Sequence, residues 1–321
     1  MAVSRKPPAE SRLGVALSSL DSPVVTGDAV TKRELVDYLD GVADRLVPRL
    51  TARALSVVRV RPGQQPFMQK NLPAHAPDWI PTLPVWSQGG NREIRYPLCN
   101  EPRTLLWFAN QRAVEYHPFL FRGHDWDAPT ELIIDLDPPE GAGFDRVVDA
   151  ARAVREALAH SGLAGAVKTS GAKGAHVVVP LAEGTTAEEA AAATRALAAR
   201  AERLAPQATT TAYLRADRGG KVFLDSTRSG GGTVVAAYSP RVRPGLPVSF
   251  PVAWDELEAI DPREVTVRTA LEMLGGQDRW TQLLPAPQSL DAGLVAEGRT
   301  IPVARVAAMH EGKRRKRDHK A

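Results

Sequence analysis

The sequence predicts an α+β fold: a ferredoxin-like, RNA-recognition-like (RRM-like) sheet flanked by helices and fused to a smaller N-terminal α/β lobe. Three observations carry this. From residue 132 to residue 225 the hydrophobic pattern alternates β-α-β-β-α-β, and one more strand-like run follows it. Two stretches inside that series repeat apolar residues at helical spacing. The first half instead carries short strand-like runs around one well-capped helix.

In chain order, residues 1–28 mix small, polar and charged types without a period and are expected to form a poorly ordered arm. The N-terminal lobe is expected over 29–125. It opens with Thr31-Lys-Arg-Glu34, a capping box, and Leu35, Tyr38, Leu39, Val42, Leu46 and Leu50 follow as one amphipathic helix. Residues 55–61, 67–70 and 93–96 read as strands, a helix begins near Glu101, and 113–117 extends again. The second lobe is expected over 126–300. Its first strand, 132–136, ends where Pro138-Pro139 stops sheet pairing. Phe144, Val147, Val148, Ala151, Val154 and Leu158 then give a helix, and 167–169 and 176–180 give two strands. Thr185 or Thr186, each with a glutamate three residues later, opens an alanine-rich helix running to Leu204, and 222–225 and 233–238 close the series. Residues 301–321 form a basic tail containing Lys313-Arg-Arg-Lys-Arg317, a solvated end compatible with loose contact to a phosphate backbone.

Composition narrows the function classes. With 321 residues, 43% of them hydrophobic, the chain can bury a large core, so fibrous and disordered classes are excluded. The single cysteine, Cys99, rules out an internal disulfide and a multi-cysteine zinc site. No signal-peptide pattern or long apolar span is visible, and a cytoplasmic, nucleoid-associated protein with no membrane partner is expected. The net charge of +4 sits largely in the terminal basic run, so an argument for an anionic partner rests on where Lys and Arg lie.

The chemistry concentrates in three short motifs. Asp135 and Asp137 leave the same face of one strand, and Asp225 ends another. Like charges held that close repel unless a cation lies between them, and all-oxygen donors suit Mg²⁺ or Mn²⁺, which points to metal-assisted phosphoryl transfer. Ser170-Gly-Ala-Lys-Gly-Ala-His176 joins two strands by a glycine-rich turn that lets backbone N–H groups approach a phosphate; it lacks the Gly-Lys-Ser/Thr ending of a Walker loop.

Taken together and in this order, Asp135-Leu-Asp137, Ser170-Gly-x-Lys-Gly-x-His176 with Pro180-Leu181, and Asp225 followed by Tyr238-Ser-x-Arg241-x-Arg243 resemble the archaeo-eukaryotic primase superfamily. The resemblance is closest to the polymerase domain of bacterial end-joining ligase D and its stand-alone actinobacterial relatives, and it covers residues 31–280. It implies a primase-polymerase, a template-dependent nucleotidyltransferase that adds NTPs or dNTPs to a primer 3′-hydroxyl with two divalent ions. It places the ions on Asp135, Asp137 and Asp225, and a triphosphate on Lys173, Arg241 and Arg243, with Arg218 nearby. It assigns Ser170, His176 and His117 to phosphate or sugar, with contacts to the 2′-hydroxyl favouring ribonucleotides. Phe67, with Met68, takes the base-stacking position, and Lys70 serves the same pocket or DNA.

The chain departs from that pattern in places. Arg228-Ser229 stands where the family usually carries Gln-Asn, bringing a longer, charged side chain to the triphosphate; Val58 replaces a lysine and Met68 a second aromatic. A ligase or nuclease domain does not fit beside this one in 321 residues, so gap filling in repair or end joining would need a separate ATP-dependent ligase, with Ku as a further partner the family suggests. The family reads a downstream 5′-phosphate with basic residues of the N-terminal lobe, where Arg49, Arg53, Arg59 and Arg61 lie. Two other functions share parts of the pattern. A metal-dependent nuclease uses clustered carboxylates but needs no triphosphate clamp, and a non-catalytic nucleic-acid binder needs no full carboxylate set.

Overall fold

The structure, a computed structural model, describes residues 10–25, 27–87 and 91–303. Its elements are β1 (Ser11–Arg12), β2 (Val15–Ala16), α1 (Lys32–Gly41), α2 (Ala43–Leu50), β3 (Leu55–Arg59), β4 (Phe67–Gln69), β5 (Thr82–Ser87), β6 (Arg92–Pro97), α3 (Pro102–Asn110) and β7 (Ala113–Pro118). The second half continues with β8 (Glu131–Asp137), α4 (Phe144–Ala159), β9 (Ala166–Thr169), β10 (Ala175–Pro180), α5 (Ala187–Leu204), β11 (Thr209–Thr210), β12 (Val222–Asp225), β13 (Pro251–Val252), α6 (Ala270–Leu274), α7 (Arg279–Leu283) and α8 (Ala292–Thr300).

The main sheet has the order β11-β12-β8-β10-β9-β13. Its four central strands, taken from the unit β8-α4-β9-β10-α5-β12, lie in the antiparallel order fourth, first, third, second. That is the ferredoxin-like arrangement read from the sequence. Strand alternation then divides β8 into two faces. Leu132, Ile134 and Leu136 are fully buried, and α4 and α5 pack against this strand. The intervening residues, Ile133, Asp135 and Asp137, face the other way. The alanine-rich α5 begins with the Thr186/Glu189 capping box and packs tightly on α8: a Cβ on Gly298 would sit 1.8 Å from Ala192 O.

The smaller lobe holds the three-stranded sheet β4-β3-β7 and the hairpin β5-β6. Apolar packing is continuous across both lobes, from Val15 to Val295, and Tyr38 Oη donates to Tyr238 O at 2.7 Å. Three expectations need correction. The helix after Thr31 keeps its capping box but breaks at Val42, whose φ of −105° and ψ of 2° leave the helical range, and the adjoining Gly41 packs so closely on Leu271 that a Cβ there would meet the leucine at 2.8 Å. Residues 233–238 do not form a strand. They run beside β7 through Val234 N to Pro118 O and Ala236 N to Tyr116 O, then turn at Tyr238 with φ of 71°. The expected loose arm is packed from Glu10 onward. Leu17, Leu20 and Val24 are buried, Arg12 pairs with Asp37 at 2.6 Å, and Lys32 Nζ donates to Ser18 O. Short apolar residues at irregular spacing hid that packing from periodicity. Residues 1–9 and the basic run Lys313 to Arg317 lie outside the described residues.

Candidate active site

One cross-strand row organises the open face of the sheet. Asp225 on β12 pairs with Asp135 on β8, Asp135 with His176 on β10, and His176 with Lys168 on β9. Residues opposite one another in a ladder project to the same side, so these four side chains stand in line, with Asp137 two residues beyond Asp135. The β9–β10 turn closes against this row. Gly174 N and Ala172 N donate to Ser170 Oγ at 3.1 and 3.2 Å. A Cβ on Gly174 would lie 2.0 Å from Leu136 O, and Gly171, at φ of 67°, has room for none against Arg241 and Ser249 N. These two glycines are therefore dictated by close approach.

Asp135, Asp137, Asp225, Ser170, Lys173, His176, Arg218, Arg228, Arg241 and Arg243 all line one cleft of about 670 Å³. Lys173 is exposed at its rim. Arg218 donates to Asp137 Oδ2 at 3.0 Å and to Tyr213 O, while its guanidinium stacks 3.9 Å from the Phe223 ring centroid. Arg228 bridges two strands: Nε lies 3.4 Å from Asp225 Oδ2 and a terminal nitrogen 3.7 Å from Asp135 Oδ2. Asp225 Oδ1 is engaged by Thr227 N and Oγ1 at 2.8 and 2.6 Å. The loop backbone is pinned, because the neighbouring Ser229 Oγ accepts from Ile133 N at 3.0 Å and lies 3.0 Å from Thr194 Oγ1, so Arg228 moves only by turning its side chain.

Burial sets the protonation of the row. His176 is pulled down to about 4 by burial and by the neighbouring Lys168, so it is neutral at pH 7 and its 3.4 Å contact with Asp135 is not an ion pair. Burial opposes ionisation of Asp135, but His176, Arg228 and Lys168 outweigh it and hold the carboxyl below its ordinary range. Burial, then Arg241, draws Lys168 down to about 7.

His117, Phe67, Met68 and Lys70 lie outside the cleft lining. His117 Nε2 donates to Glu115 Oε2 at 2.8 Å. Burial pulls its pKa down against that carboxylate. Glu115 in turn accepts from Val242 N at 2.8 Å and lies 3.1 Å from Arg241 Nε in an ion pair too poorly aligned to be a hydrogen bond. His117 thus reaches the cleft through Glu115 and Arg241. Phe67 and Lys70 sit on or beside β4 in the other sheet, where Phe67 packs under Arg61 at 4.9 Å. Of the arginines noted in that lobe, Arg53 and Arg59 are buried and committed, Arg53 to Phe119 O and Thr130, Arg59 to Gln111 O and Gln69. Sequence reasoning missed Glu115, Lys168 and Arg215, the last of which lines the cleft. The available signals were Glu115 two residues before His117 and a lysine in an otherwise apolar strand.

The donor set suits a hard divalent ion, since every carboxylate offers oxygen. Among the described residues no three His, Cys, Asp or Glu side chains converge as a complete metal cage. Asp137 is drawn to Arg218 and Asp225 to Thr227, yet Asp135 and Asp225 already converge on a cation, the Arg228 guanidinium. That guanidinium occupies the space between two of the three carboxylates.

The family model for the LigD primase-polymerase domain matches residues 31–280. Relatives include the multifunctional non-homologous end joining protein LigD of Mycolicibacterium smegmatis, 32% identical over 283 residues, and the bifunctional LigD of Bacillus subtilis, 32% identical over 265. These alignments cover 87% and 81% of this chain but 36% and 42% of the relatives, so the chain spans well under half their length. The solved polymerase domain of Mycobacterium tuberculosis ligase D, in complex with DNA, superimposes with a TM-score of 0.76 at 30% identity, covering 84% of this chain and 97% of that one. The ferredoxin-like sheet, its row of carboxylates and the matched span agree: this chain belongs to the LigD primase-polymerase domain family and is a nucleotidyltransferase.

Proposed function

We propose that the chain extends a DNA primer by template-directed addition of nucleotides, filling short gaps in end-joining or other repair intermediates. One observation carries this reading: a single cleft sets Asp135, Asp137 and Asp225 against Lys173, Arg241 and Arg243. The carboxylates would hold two Mn²⁺ or Mg²⁺ ions, and the cations a triphosphate. When bound, such ions stabilise charge on the attacking and leaving oxygens.

The chain's own residues do the rest. Arg241 Nη1 is anchored on Ser170 O at 2.6 Å and its Nε is paired with Glu115, so its position is fixed before substrate arrives. Lys173 and Arg243 stay exposed or loosely held and are free to close on phosphate. Ser170 uses its oxygen on Ala172 and Gly174, leaving its hydroxyl hydrogen as a donor toward sugar or phosphate. With the carboxylates holding ions, Arg228 would be released from them and would turn its side chain to the triphosphate. Phe67 and Lys70 would serve base stacking and DNA from the second sheet, and His117 would act through Glu115 and Arg241.

The same reading takes 29–300 as the polymerase unit, with lobes at about 29–125 and 126–300, and assigns the tail 301–321 to loose contact with DNA. It places the protein in the cytoplasm at the nucleoid, with ribonucleotides preferred and with a ligase and Ku as partners. Among the described residues no helix is long and apolar enough to cross a membrane. Incubation with a primed 5′-phosphorylated gap and each nucleotide class tests the proposal. Metal-dependent growth of the primer supports it; shortening of the DNA would assign the carboxylates to a nuclease.

A further inference from the structure

The row of side chains contains one group that this reaction leaves without a role. Lys168, in the interior of β9, is 3% exposed. Its Nζ lies 2.7 Å from His176 Nδ1, 2.7 Å from Ser249 Oγ and 3.0 Å from Val235 O. A carbonyl can only accept. The Ser249 hydroxyl donates its own hydrogen to Thr169 O at 2.8 Å, so toward Lys168 it too must accept. As an ammonium Lys168 has three N–H bonds and no lone pair, and here three acceptors take all three; the neutral amine would need a hydrogen on Nδ1 and so turn the Nε2 lone pair on the Asp135 carboxylate. His176 Nδ1 is then an acceptor, and the hydrogen of the neutral ring belongs on Nε2. That nitrogen is the one 3.4 Å from Asp135 Oδ1, on the side of the cleft.

We propose that Lys168 is a positioning residue that locks His176 in its Nε2–H tautomer, so that the nitrogen facing the cleft is always a hydrogen-bond donor. The other tautomer would aim a lone pair at the Asp135 carboxylate and at any phosphate oxygen, which repels both. The locked form instead turns an N–H toward one oxygen of Asp135 and leaves the other toward Arg228. Outer hydrogen bonds of this kind set the orientation of carboxylates around ions. Val235 and Ser249 flank the segment that carries Arg241, so one ammonium ties the histidine to the loop that holds the clamp. The tautomer is a property of the chain alone; its use on a nucleotide rests on the proposed polymerase reaction.

Long-range ¹H–¹⁵N correlation on the full chain with ¹⁵N-labelled histidine reads the tautomer directly, the His176 signals being assigned by their loss in H176Q. The expected spectrum has a bare Nδ1 and a protonated Nε2 in the wild type. K168M should convert this to a mixture and raise KM for ATP on gapped DNA by about tenfold, the order expected for losing one charge-assisted hydrogen bond, with a smaller change in kcat. S249A, which keeps the ammonium, should keep the wild-type tautomer. A hydrogen on Nδ1 in the wild type overturns the proposal even if K168M does not fold, and so does an unchanged tautomer in a folded K168M. If the tautomers behave as expected but no variant adds nucleotide, the lock stands and the polymerase reading is what fails.

Discussion

Replacing Arg228 by glutamine asks how the site balances its own negative charge. The guanidinium lies 3.4 Å from Asp225 and 3.7 Å from Asp135. Near such a distance two unit charges interact by about 1 kcal/mol in water and about 4 kcal/mol at an effective dielectric of 20. The side chain is 43% exposed, so solvent screening places each pair near the lower limit, about 0.5–1 kcal/mol. The two together are worth about 1–2 kcal/mol, which an entering divalent ion must replace, and R228Q should bind Mn²⁺ about 5- to 30-fold more tightly in the absence of nucleotide. Titration followed by electron paramagnetic resonance measures this. Ser229 keeps the loop pinned to Ile133 and Thr194, so the substitution changes charge without moving backbone. With ATP present the sign reverses, and KM should rise as the triphosphate loses a cation. Unchanged or weaker Mn²⁺ binding in R228Q would show that Arg228 does not offset the charge of Asp135 and Asp225.

Three other outcomes are expected. Gly174→Ala forces a Cβ to within 2.0 Å of Leu136 O and should cost roughly 1–3 kcal/mol, seen as a lower urea midpoint with an unchanged slope. Glu115 is buried, which opposes ionisation, but His117, Arg241 and the Val242 N–H hold it at about 2 against an ordinary 4.5. A depressed folded-state pKa gives stability that is present above about pH 4.5 and lost as pH falls toward 2; by linkage this is worth about 3 kcal/mol, and E115Q should flatten that acid limb of the urea-midpoint profile. K173A combined with R243A should raise KM for ATP by about a hundredfold while DNA binding by fluorescence anisotropy changes much less, since each lost phosphate contact is worth about tenfold.

The second lobe was largely legible because its elements are long and periodic. Apolar alternation in β8 and helical spacing in α4 declare their faces locally, and the β-α-β-β-α-β order then forces Asp135, His176 and Asp225 into one row. Arg241 was legible as a clamp residue, yet its partner Glu115 was not, because 126 positions separate them and only the fold joins them. Lys168 was missed for a related reason: a lysine in a strand signals nothing until its three acceptors, from β10 and two loops, are in place. The arm from Glu10 failed differently. Its two-residue strands carry no period, and its order comes from tertiary contacts such as Lys32 with Ser18 and Asn110.

Nucleotide addition at this carboxylate row can be measured directly. Labelled ATP and dATP should be offered to a primed, 5′-phosphorylated one-nucleotide gap with Mn²⁺, with Mg²⁺ and with EDTA, using the wild type and the double variant Asp135→Ala, Asp137→Ala. Template-directed, metal-dependent extension with ATP favoured over dATP is expected, as is its loss in a double variant that retains its circular-dichroism melt. Full extension by the folded double variant would contradict this assignment of the carboxylates.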